Sequence, residues 1–74
     1  PNQPRKSITE WVLEKAQQNN TLSAYLKHSQ MTNIQILDIT EEYMDVVADF
    51  QKDDSKIELE NRFMVLLRVP FNER

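Results

Sequence analysis

Tyr25, Tyr43 and Arg62 are the side chains of this sequence best suited to hold another molecule. A tyrosine ring can stack on a nucleic-acid base, because every base offers a π face, and such stacking is worth about 1–3 kcal/mol. Arg62 can clamp a phosphate or a base edge with its planar fork. Each has a plainer reading as well. The two rings can pack on a sheet surface or at a subunit contact, and Arg62 can pair with one of the many nearby carboxylates. Glu41 and Glu42 offer paired carboxylates for acid–base chemistry, but adjacent residues in a polar loop read more simply as solvated. Asp53-Asp54 lacks the central glycine and the terminal glutamate in register that a calcium loop needs. His28 reads as a solvated turn residue and Trp11 as core. No nucleophile–base pair, phosphate-cradling loop or metal cluster stands out. No catalytic residue, no metal and no cofactor are therefore expected, and the chain reads as a non-enzyme.

The elements that must position these residues come in a simple order. Ser7-Ile8-Thr9-Glu10 fits a capping box, in which Ser7 takes the amide of Glu10 and Glu10 reaches back to the amide of Ser7. Ile8, Trp11, Val12 and Ala16 then fall on one helical stripe, so the pattern predicts a helix from Ser7 to about Asn19. After Asn19-Asn20-Thr21 the period changes to two. Leu22, Ala24 and Leu26 alternate with Ser23, Tyr25 and Lys27, which predicts a first strand. Ile34 and Ile36 are followed by Leu37 and Ile39, a slip of one that marks a bulge or bend. Met44, Val46, Ala48 and Phe50 form the inward set of the next strand. Ile57 and Leu59 predict a short fourth strand. Met64 to Val69 is apolar almost throughout, broken only by Arg68. Such a strand is either central or covered by a neighbouring subunit, and in so small a chain the subunit is the favoured cover.

The 74 residues allow a single domain over 1–74, with flexible ends at 1–6 and 71–74. A core of that size is marginal, and the usual supports are disulfides, metals or oligomerisation. There is no cysteine and one histidine, so oligomerisation is the support to expect. Without any glycine, the turns must rely on Asn, Asp, Ser and Thr, in loops of three to five residues. No apolar run is long enough to span a bilayer. No signal-peptide pattern opens the chain, and a cytoplasmic setting is the default. The net charge of −3 argues against indiscriminate nucleic-acid binding.

Three stretches resemble the Sm-like family, its Hfq-like members included. Leu22-Ser23-Ala24-Tyr25-Leu26-Lys27-His28-Ser29 is similar to the family's first strand and turn. Ile36-Leu37-Asp38-Ile39-Thr40-Glu41-Glu42-Tyr43 is similar to its second strand, loop and following aromatic. Asn61-Arg62-Phe63, with Val65 and Val69-Pro70, resembles its second motif. The family's turn glycine is Ser29 here, its strand-two glycine is Ile34, and its second-motif histidine falls on Phe63. The resemblance covers roughly residues 7 to 70. It implies a mainly β fold, an N-terminal α-helix followed by a strongly bent five-stranded antiparallel Sm-like (SH3-like) small barrel. It further implies a ring of five to seven subunits, closed by pairing the strand before Asn61 with Met64–Val69. Such a ring would bind single-stranded RNA in RNA-based regulation, with Arg62 and Tyr43 near the pore and Tyr25 on the opposite face. The competing expectation is a protein–protein interaction module that uses an acidic surface and binds no RNA.

Overall fold

The computed structural model describes residues 6–53 and 61–72. Two helices, α1 (Ile8–Gln18) and α2 (Asn20–Leu26), precede three strands, β1 (Ser29–Ile39), β2 (Tyr43–Lys52) and β3 (Arg62–Pro70). The strands form one open antiparallel sheet in the order β1-β2-β3. The five-stranded barrel expected from the resemblance is therefore corrected. Three strands of nine to eleven residues lie side by side, and β1 and β3 do not meet. The short strand expected at Ile57–Leu59 lies outside the described residues, as do 1–5 and 73–74 of the expected flexible ends.

The Ser7 cap forms as half of the expected box. The Glu10 amide donates to Ser7 Oγ at 3.1 Å, and the Ser7 hydroxyl donates to the Glu10 carboxylate at 3.2 Å. The carboxylate thus holds the capping hydroxyl in place rather than the Ser7 amide. Val12 and Ala16 are buried on the stripe that the period predicted, and Trp11 is half-buried against them.

The segment expected as the first strand is instead α2. Asn19 ends α1 and caps α2, its Oδ1 accepting from the amides of Thr21 and Leu22, each at 3.0 Å. Leu22 and Leu26 are four apart, so a helix brings both to one face. Leu26 is buried and Leu22 half-buried, while Ala24 stays exposed. Leucine and alanine also favour helix over strand, and the asparagine cap decides between two readings of the same alternation.

The β2 alternation is realised in full. Met44, Val46, Ala48 and Phe50 are buried and join Val65 and Val69 of β3 and Val12, Ala16 and Leu26 of the helices in one core. Phe50 stacks on Phe63, its cross-strand partner, with ring centroids 5.4 Å apart. The β1–β2 loop, residues 40–42, turns without glycine. Thr40 Oγ1 accepts from the amides of Glu42 and Tyr43, both at 3.1 Å, and the Thr40 amide donates to the Tyr43 carbonyl. No described residue needs a positive φ. Phe71, expected in a flexible end, donates its amide to the Glu42 carbonyl and lays its ring 5.4 Å from Trp11.

β1 carries two register shifts against β2, one between Met31 and Asn33 and one between Ile36 and Asp38. The second is the slip seen at Leu37. At the first, the Thr32 hydroxyl donates to the Asp49 carbonyl. β3, by contrast, pairs with β2 at nine consecutive positions, from Gln51↔Arg62 to Tyr43↔Pro70, without a shift.

Candidate interaction surface

α1 packs against α2 and β3, and α2 against β1, so both helices cover one face of the sheet. Among the described residues, no element covers the other face. Its rows follow from the register: Asn33, Asp49 and Met64; Gln35, Val47 and Leu66; Asp38, Asp45 and Arg68. The β1 members are all polar, whereas β3 contributes Met64 and Leu66, which are 75% and 71% exposed. Two large apolar side chains therefore stand next to each other on a strand that is an edge of the sheet among the described residues. A second apolar region, Ile36, Leu37 and Ile39, lies at the far half of β1 around its second register shift. Ile36 and Ile39 pair with the buried Val46 and Met44, yet both are exposed.

Beyond Leu66 lies a polar cluster that spans the three strands. In the register, Asp38 faces Asp45, and like charges opposite each other are destabilising. Arg68 offsets this from the third strand. Its Nε and terminal nitrogen donate to the two Asp45 oxygens at 2.9 and 3.1 Å, a bidentate fork. The guanidinium carbon sits 3.8 Å from the centre of the Tyr43 ring, within cation–π range. The hydrogen bond from Arg68 holds the Asp45 carboxyl below its usual range, and the same bond holds the guanidinium more firmly protonated. Tyr43 is thus committed to an intramolecular contact.

Tyr25 and Arg62 come together at the opposite end of the sheet. With Leu22, Lys52 and Phe63 they line one surface hollow of about 350 Å³, and Lys27 and His28 join Tyr25 and Lys52 around the next. Tyr25 is 62% exposed. Tyr43 pairs with Pro70 while Arg62 pairs with Gln51. At strand rise that separation along β2 is roughly 25 Å. The grouping expected, Tyr43 beside Arg62 with Tyr25 on the far side, is replaced by Tyr25 beside Arg62 with Tyr43 at the far end. Glu41 and Glu42 are exposed in their loop, and exposed His28 accepts the Asp53 amide through its carbonyl. Lys6, ahead of the Ser7 cap, forms an ion pair with Glu14 of α1. No helix among the described residues is long and apolar enough to cross a membrane.

The chain matches no family model, no curated protein and no solved structure.

Proposed function

We propose that this chain is a non-catalytic association module, whose work is to join polypeptides through its sheet. The observation that carries the reading is the exposed pair Met64 and Leu66 on β3. Burying such a side chain is worth roughly 1.5–3 kcal/mol. A long apolar strand edge left open is a template for pairing with another chain. Both features fall on the same strand. The test uses Met64→Gln with Leu66→Gln. Because both side chains project into solvent, the pair should shift folding stability by no more than about 0.5 kcal/mol each in dilute solution. Binding of an apolar fluorescent dye should fall several-fold. A double variant that unfolds, or that binds the dye as the parent does, contradicts the reading.

Single-stranded RNA is the second reading, and one observation favours it. Tyr25, Arg62 and Lys52 line a common hollow, with Lys27 and His28 alongside. A stacking plane beside cations is what a sequence-tolerant single-strand site uses. The net charge of −3, with Asp53 adjacent, makes the expected binding weak and strongly salt-sensitive. Fluorescence anisotropy with short U-rich and A-rich RNAs tests it. Binding at low salt that Tyr25→Ala and Arg62→Ala abolish supports the reading, and no binding at low salt removes it.

A further inference from the structure

We infer that two copies of this chain pair through β3, antiparallel and edge to edge, about a two-fold axis at Leu66, so that two three-stranded sheets continue as one of six strands. The inference rests on the association reading and names its partner.

The first argument is the contrast between the two edges. β1 is interrupted by two register shifts and shows Asn33, Gln35 and Asp38 on its open face. Bulges and charges of this kind blunt an edge against pairing. β3 has no bulge, and its charges and proline stand toward its two ends, Arg62, Arg68 and Pro70. It pairs regularly over all nine residues, with Phe63, Val65, Leu67 and Val69 toward the core and, away from it, Met64 and Leu66 at the middle between Arg62 and Arg68. Among the described residues, no strand occupies its outer edge.

The second argument is that β3 is complementary to itself in one register. A two-fold axis normal to the sheet keeps like faces together, so facing residues have the same parity. Centred on Leu66, all nine residues find a partner. Leu66 meets Leu66, Val65 meets Leu67, Phe63 meets Val69, Met64 meets Arg68 and Arg62 meets Pro70. Apolar residues face apolar residues on the core side, and no arginine faces another. Pro70, which lacks an amide, falls at the end of the ladder, where the loss matters least. Centred on Val65 instead, Arg62 would face Arg68 twice, and like charges directly opposite destabilise a sheet. Centred on Leu67, the overlap shortens and Arg62 and Phe63 lose strand partners. Arg68 already shares its charge with Asp45, so bringing it beside the apolar Met64 of the other copy leaves no uncompensated cation there. The arrangement closes on itself with two subunits, in place of the ring of five to seven implied by the resemblance.

Facing Cβ atoms across an antiparallel pair lie about 4.5–5.5 Å apart. The chain has no cysteine, so Leu66→Cys places one thiol on the proposed axis, and Asp38→Cys places one on the opposite edge as control. The expected result is a parent with the mass of two copies by light scattering. Leu66→Cys should then cross-link with a short bismaleimide at several times the yield of Asp38→Cys. Leu66→Arg, confirmed folded by circular dichroism, should have half the parent's mass. A monomeric parent overturns the pairing, as does a dimer that cross-links equally well through Asp38→Cys. A monomer that still binds apolar dye through Met64 and Leu66 would sink the two-copy pairing while leaving the association reading in place.

Discussion

Leu26→Ala is expected to lower the free energy of unfolding by about 2–4 kcal/mol, while Ala24→Gln should change it by less than about 0.5 kcal/mol. The contrast separates a helix from a strand over the same residues. In a strand, Leu22, Ala24 and Leu26 share one face, and a glutamine at the middle position would insert an amide into the core. In α2 the face belongs to Leu22 and Leu26, and Ala24 looks outward. Leu26 joins the core with Val12 and Ala16 of α1 and Phe50 and Val65 of the sheet, so its truncation leaves a cavity where helices and strands meet. A domain of this length holds roughly 4–11 kcal/mol in total. A loss of that size is therefore a large part of its stability, and it is visible in a chemical denaturation curve as a lower midpoint at unchanged slope. Equal losses for the two variants would restore the strand.

What could be read in advance was whatever one local pattern decided alone. The β2 face was legible because Met44, Val46, Ala48 and Phe50 alternate without a competing period. The bulge near Leu37 was legible because the apolar phase slips there and β1 must slip with it. The Ser7 cap was legible in its acceptor but not in its carboxylate, because a glutamate side chain can reach either the amide or the hydroxyl of the cap. α2 was misread because Leu22 and Leu26 satisfy period two and a four-residue spacing equally. The deciding signal was Asn19, placed to cap the amides of Thr21 and Leu22.

The surface was less legible, because its groups come from different strands and share a neighbourhood only once the register is known. Asp45 and Arg68 face each other only in the register that also pairs Phe50 with Phe63. The matched apolar phases of β2 and β3 contain that register, and laying them against each other would have found the Tyr43–Asp45–Arg68 cluster. The meeting of Tyr25 with Arg62 depends on where α2 ends relative to β3, which no periodicity encodes. The apolar character of Met64 to Val69 was visible throughout. Its open-face share, Met64 and Leu66, is what the two helices leave uncovered.

The claim that β3 is the associating edge is tested most directly by amide hydrogen exchange as a function of protein concentration. Exchange slows where an amide gains a protected partner. The account predicts that the β3 amides pointing away from β2, every second one over residues 63–69, exchange progressively more slowly as concentration rises, while those of β1 keep their dilute-solution rates. Exchange along β3 that does not depend on concentration, or protection that builds on β1 instead, would contradict it.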